Sequence, residues 1–175
     1  MSMSVLLTSF QTWQPHQISN SSDDLIRLLL EQPTPGVTLH CLRRLPVETA
    51  TASQLVLRAI RACQPDWVLC GGMAETRSRL SLESNARCGD RQLFSRLDLP
   101  SLVSQLATTE ISDDAGRFVC EDVYFAVLDY LQQSNGSSRC LFVHVPVLTV
   151  ENQAAIVADM QRLLAVLAAQ TMVSA

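Results

Sequence analysis

The stretch Cys140-Leu141-Phe142-Val143-His144-Val145, closed by Pro146, sets the fold class. Apolar residues follow one another almost without interruption, where a half-exposed strand would alternate them with polar ones. Continuous apolarity over six residues, with a Ser/Gly-rich loop (Ser134–Ser138) before it and proline after it, reads as a strand buried on both faces. The same reading applies to Trp67-Val68-Leu69-Cys70, which breaks at Gly71-Gly72, and to Ser4-Val5-Leu6-Leu7-Thr8. Val37 to Leu42 reads as a further strand.

Between these runs the apolar period changes to that of a helix. Ser21-Ser22-Asp23-Asp24 offers an N-cap and acidic first-turn residues, and Leu25, Ile26 and Leu28 to Leu30 supply the apolar face. Pro33, Pro35 and Gly36 stop that helix. Thr49 to Cys63 carries Leu55, Val56, Ala59, Ile60 and Cys63 at helical spacing. Val119 to Leu131 and Val150 to Ala168 are expected to be helical, and Leu99 to Leu106 a short helix. The polar, Arg-rich stretch Met73 to Leu97 is expected to be irregular. Strands alternating with helices imply a three-layer α/β/α fold with a central, mostly parallel twisted sheet. With no repeat or linker, residues 1–175 read as one domain. At that length roughly 70% of the unfolded surface is expected to be buried.

Composition excludes several classes. The net charge is −4, every basic residue is Arg, and Arg43-Arg44 is the only adjacent basic pair. That is a poor phosphate-binding stripe, so no nucleic-acid partner is expected. No apolar run reaches the roughly 18 residues of a membrane span, and the start Met-Ser-Met-Ser-Val-Leu-Leu-Thr lacks the basic region of a secretory signal. The six cysteines include no CxxC pair and no zinc-like Cys/His spacing, so no metal is expected. Cys41, Cys70 and Cys140 lie in or beside apolar strands, where a thiol acts as a small hydrophobe. Reduced thiols and a cytoplasmic location are the consistent expectation.

Three positions put reactive groups at element ends. Cys120 follows Asp113-Asp114-Ala115-Gly116-Arg117-Phe118-Val119 and falls in the first turn of a helix, where the dipole and free N–H groups favour thiolate. Glu121 and Asp122 beside it would oppose that, and a lone cysteine there is as readily structural. His144 sits near the carboxyl end of its strand, where ligands bind in such sheets, although a lone histidine in an apolar strand is commonly a core residue. Glu83, alone, is unremarkable. Together they could supply nucleophile, base and orienting carboxylate.

These segments carry a resemblance. Ser112 to Cys120, Phe142-Val143-His144-Val145-Pro146, and Gly72-Met73-Ala74-Glu75-Thr76-Arg77 through Glu83 are similar to the nucleophile, histidine and glutamate segments of the pyroglutamyl peptidase I family, the C15 cysteine peptidases. Leu45-Pro46-Val47 and Gln64-Pro65-Asp66 match it as well. The resemblance implies a Cys120–His144–Glu83 triad that removes an N-terminal pyroglutamyl residue from small peptides through an acyl-enzyme, with no cofactor. It implies a substrate pocket walled by Phe10 and Trp13, with Asn20 and Met73 at further pocket positions. Members often self-associate, so a homo-oligomer is among the expectations.

The chain also departs from the family. Ser9-Phe10-Gln11-Thr12-Trp13-Gln14-Pro15 stands where members have a glycine-rich pattern with two phenylalanines. Met73 replaces a glutamine held to bond the lactam, and the stretch between Glu83 and Cys120 is shortened, leaving Arg87 and Arg91 in the remnant. Two alternatives therefore stay open at this stage. The same triad could act on a different small amide or cyclic compound, or the scaffold could be a non-catalytic ligand-binding domain.

Overall fold

The structure, a computed structural model, describes residues 2–134 and 136–173. Asn135, in the expected loop at 134–138, lies outside the described residues.

Its elements run β1 (Met3–Phe10), α1 (Ser21–Glu31), β2 (Val37–Leu45), α2 (Thr49–Cys63), β3 (Trp67–Met73) and β4 (Leu80–Glu83). They continue with β5 (Asn85–Cys88), β6 (Arg91–Phe94), α3 (Leu99–Val103), β7 (Thr109–Ser112), α4 (Val119–Gln133), β8 (Arg139–Val145) and α5 (Gln153–Val173). The main sheet has the order β2-β1-β3-β8-β4-β7. Four of its strands, β2, β1, β3 and β8, are mutually parallel, while β4 pairs antiparallel with β8 and carries β7 parallel to itself. The expected mostly parallel α/β sheet is thus observed, with a reversed pair at one edge.

Alternation along the strands sorts the core into two layers. On one face Val5, Leu7, Leu69, Leu141 and Val143 pack with Leu25, Ile26 and Leu29 of α1 and Ile156, Met160 and Leu164 of α5. On the other, Leu6, Val68, Cys70, Cys140 and Phe142 pack with Val56 and Ile60 of α2 and Val119, Val123 and Tyr124 of α4. Because α1 and α2 lie on opposite faces, the loops leaving the carboxyl ends of the neighbouring strands β1 and β2 diverge. Such a divergence opens a crevice where ligands bind in sheets of this kind.

The observed elements refine the expected ones. The cap of α1 is Asn20, one residue earlier than the serines, because its Oδ1 accepts from Ser22 N at 3.0 Å. The strand β3 runs through Gly71-Gly72 to Met73 and does not break there. The stretch Met73 to Leu97, expected to be irregular, contains β4 and the antiparallel hairpin β5–β6.

Candidate active site

The carboxyl end of β8 carries His144, and register brings the other groups to it. His144 is opposite Gly72 on β3 and Ser81 on β4, while Glu83 is opposite Phe142. Side-chain alternation then puts Cys70, Gly72, Glu83, Phe142 and His144 on one face, the face covered by α4.

Glu83 and His144 meet directly. The Nδ1 of His144 lies 2.7 Å from Glu83 Oε1. The carboxylate fixes the ring's tautomer: Nδ1 carries the proton, and Nε2 is left as the free acceptor. The imidazole also packs on the Phe142 ring, centroids 4.8 Å apart. Glu83 is fully buried, and its main-chain carbonyl accepts from the Tyr124 hydroxyl of α4 at 3.0 Å. Its Oε1 accepts a second hydrogen bond, from Arg77 Nη1 at 2.6 Å, while Oε2 has no partner among the described residues. Arg77 Nη2 in turn donates to the Asp114 carbonyl at 2.7 Å and to Ser112 Oγ at 3.2 Å.

Cys120 reaches the same place from above. It is the second residue of α4, and a Cβ built on Gly72 would stand 2.7 Å from its Sγ. The thiol therefore rests on β3 at the register position of His144. Burial pushes this thiol up to about 12, Cys70 and Glu83 add to the shift, and Arg77 opposes it. The helix start was expected to favour a thiolate, whereas desolvation is the largest influence on this thiol and raises it. The acidic neighbours are not the cause. Glu121 turns away to accept from Arg87 N, and Asp122 to accept from Thr49 Oγ1.

A cavity of about 170 Å³ opens beside these groups. That is room for roughly six water-sized atoms. Phe10, Trp13 and Asn20 wall it from the β1–α1 side, Val47 from the β2–α2 loop and Met73 from the end of β3. Ala115, Gly116, Phe118 and Val119 close it before Cys120, and His144 completes it. Gly116 takes φ +89, a left-handed backbone that few other residues adopt. The rings of Trp13 and Phe118, each about half exposed, stand 5.4 Å apart at the mouth. Asn20 contributes a side chain already engaged, with Oδ1 accepting from Ser22 and Nδ2 donating to the Gln11 carbonyl. The sulfur of Met73 accepts from Ser21 N at 3.4 Å.

All seven residues singled out in the sequence thus lie at one site: six line the cavity, and Glu83 stands behind His144. Phe118, Val47, Gly72 and Arg77 were not singled out. Phe118, two residues before Cys120, was visible as the aromatic of that segment, whereas Arg77 carries no local signal. Arg91 packs over Phe125 and pairs with Asp129, and neither it nor Arg87 lines this cavity. A larger cavity of about 390 Å³ lies at the opposite end of β8, against Arg139 and Cys140, away from the reactive set. All six cysteines are free. Among the described residues no three His, Cys, Asp or Glu side chains converge as metal ligands, and no helix is long and apolar enough to cross a membrane.

Comparison with known proteins points the same way. The family model described as pyroglutamyl peptidase matches residues 88–175, half of the chain, including the Cys120 and His144 segments. The pyrrolidone-carboxylate peptidase of Erwinia tasmaniensis is 28% identical over 170 residues, covering 82% of this chain and 78% of its own. That of Pectobacterium atrosepticum is 29% identical over 168 residues, covering 81% and 77%. Among solved structures, the pyroglutamyl peptidase I from Bacillus amyloliquefaciens superimposes with a TM-score of 0.84 at 18% identity, covering 96% of each chain. The pyrrolidone carboxyl peptidase of Thermococcus litoralis gives 0.80, covering 94% of this chain and 92% of its own. At such low identity these structures establish the shared fold.

Proposed function

The chain belongs to the pyroglutamyl peptidase family, and from that premise we propose that it is a cysteine exopeptidase that removes an N-terminal pyroglutamyl residue from small peptides. The observation that carries this reading is the convergence of a half-buried thiol, a carboxylate-held imidazole and a small, largely apolar cavity at one strand end.

The chemistry follows from the resting state. Cys120 is held as the thiol, so the proton must leave as attack begins. His144, with Nδ1 bound to Glu83, takes it on Nε2, and the sulfur adds to the carbonyl that follows the pyroglutamyl ring. The first turn of α4 has no side-chain cap, because Phe118 has no acceptor to offer. Its free N–H groups are the donors beside Sγ that can take up the developing oxyanion. Collapse breaks the amide bond, the leaving amine takes the proton from His144, and a thioester remains on Cys120. Water activated by His144 then hydrolyses the thioester and restores the thiol. No cofactor enters this cycle. Six free thiols, one of them the nucleophile, fit a reducing, cytoplasmic setting.

The test is release of fluorophore from pyroglutamyl-aminomethylcoumarin by the purified protein under reducing conditions. Turnover is expected in the wild type and none in Cys120→Ala. If folded wild type is as inactive as the variant, the pyroglutamyl assignment fails. Rapid alkylation of Cys120 in that inactive protein would move the same triad to another small cyclic or amide substrate, and a Cys120 no more reactive than Cys41 would favour a binding domain.

A further inference from the structure

Glu83 is fully buried, and a carboxylate removed from water needs compensating charge and hydrogen bonds. His144 gives it a hydrogen bond. Arg77 supplies the charge, and among the described residues it is the one arginine in contact with Glu83. Its guanidinium is planar, with donors diverging from one rigid plane. Nη1 reaches the same Oε1 that holds His144. Nη2 reaches the Asp114 carbonyl and Ser112 Oγ. Ser112 ends β7, opposite Glu83 in register, and Asp114 directly precedes Ala115 and Gly116 of the cavity wall. A single cation therefore joins the carboxylate behind the base to the turn that shapes the pocket and leads into Cys120.

We propose that Arg77 is a positioning residue of this site, holding Glu83 as the carboxylate partner of His144 and fastening the 112–116 turn against it. This deepens, and rests on, the assignment of Cys120, His144 and Glu83 as the reacting set. Two consequences can be read separately. The groups facing the Cys120 thiol are Cys70 from β3, Glu83 from β4, His144 from β8 and Arg77 from the β3–β4 connection. Of these, Arg77 draws the thiol toward ionisation while Cys70 and Glu83 oppose it. Removing the cation leaves Cys120 harder to ionise. The second consequence concerns the pocket: a cation that balances Glu83 but lacks the second arm frees the wall, and substrate binding suffers before chemistry does.

The experiment compares wild type, Arg77→Met and Arg77→Lys. Cys120 alkylation by iodoacetamide is followed against pH at the Cys120 peptide, alongside kcat and KM for pyroglutamyl-aminomethylcoumarin. In Arg77→Met the alkylation profile is expected to move to higher pH, slowing the reaction at pH 8 by roughly tenfold, as a displacement of one pKa unit would. Arg77→Lys is expected to keep the wild-type alkylation profile while KM rises severalfold at nearly constant kcat. A folded Arg77→Met with the wild-type profile overturns the proposal, as does an Arg77→Lys with unchanged KM. If Arg77→Met does not fold, Arg77→Lys, which still balances the buried carboxylate, decides alone. Should wild type fail to cleave the coumarin substrate, the substrate assignment has failed, and the alkylation profiles of the two variants still judge Arg77.

Discussion

At Gly72 the chain has no room for a side chain: a Cβ there would stand 2.7 Å from Cys120 Sγ and 2.9 Å from Cζ of Phe142. Neither neighbour can retreat easily. The Phe142 ring is fully buried between His144 and Tyr124, and Sγ sits on the first turn of a helix. Gly72→Ala is therefore expected to cost about 1–3 kcal/mol by overpacking. It is also expected to lower kcat by more than tenfold, since a displacement of about 1 Å at a reacting centre can cost roughly 10²-fold. Thermal denaturation and coumarin release measure the two effects, and unchanged turnover would contradict a thiol seated on β3. One residue further on, Met73 faces the cavity with a thioether that accepts from Ser21 N and has no proton to donate. A glutamine there could keep that acceptor and offer N–H groups to a lactam. Met73→Gln is expected to lower KM for the pyroglutamyl substrate by up to about tenfold, the worth of one added neutral hydrogen bond. An unchanged or raised KM would mean that the ring does not lie against β3.

At the scale of elements, the antiparallel edge decides the site, and it is held by one carboxylate. Asp159 of α5 accepts from Ala107 N, Thr108 N, Thr108 Oγ1 and Thr109 Oγ1, all within 2.9 Å, and so fixes the start of β7. Burial resists its ionisation, but these donors prevail and hold its carboxyl below the usual range. Their contribution is present above the unfolded value near 3.8 and is lost as pH falls through the lower folded value. Asp159→Ala strands the buried Thr109 hydroxyl and three part-buried donors and should destabilise by about 1–3 kcal/mol, read as a shift in denaturant midpoint at constant slope. Because β7 is an edge strand that pairs, among the described residues, with β4 alone and ends at Ser112, KM should rise more than kcat falls. A loss of stability with unchanged KM would show that the edge and the pocket wall are independent. This same edge was the least legible part of the sequence. Residues 67–70 and 140–145 are buried on both faces by apolar side chains, so an apolar run announced them, and 3.6-residue spacing announced α2 and α4. Leu80-Ser81-Leu82-Glu83 alternates like a half-exposed strand, yet all four residues are buried. Glu83 bonds His144 and Arg77 and Ser81 Oγ donates to Glu110, and no local pattern encodes a long-range partner. Thr109-Glu110-Ile111-Ser112 is short and polar because it is an edge. Cys120, His144 and Glu83 were legible as candidates through their segments' resemblance to a family. Arg77 was not, because its role depends on β4 running antiparallel to β8.

Over the whole molecule, the absence of lysine gives the protein an unusual alkaline behaviour. All 13 basic side chains are arginines, so none loses its charge near pH 10, and the groups that titrate there are the cysteines and tyrosines. Three of these pack in the α4 layer. The thiol of Cys120 is pushed up to about 12, and burial holds the Cys140 thiol and the Tyr124 phenol far above their ordinary values. In each case the folded value is raised, so the stabilising contribution is complete below the unfolded value, near 9 for the thiols and 10 for the phenol. It is lost as pH climbs toward the folded value, because the unfolded chain releases protons that the folded chain retains. Each such proton is worth about 1.4 kcal/mol per pH unit. With two thiols contributing above pH 9 and the phenol joining above pH 10, the slope should reach about 4 kcal/mol per pH unit. A domain with about 7–11 kcal/mol of stability, inside the usual range, would then unfold near pH 11 to 12. Urea midpoints under reducing conditions should be flat from pH 7 to 8.5 and fall steeply above 9. Cys120→Ala removes one of the three protons and should reduce the slope by about a third, with no parallel change at neutral pH. A slope equal to that of wild type would mean that folding does not raise the Cys120 thiol above its unfolded value, and that burial is not what holds the proton on the nucleophile.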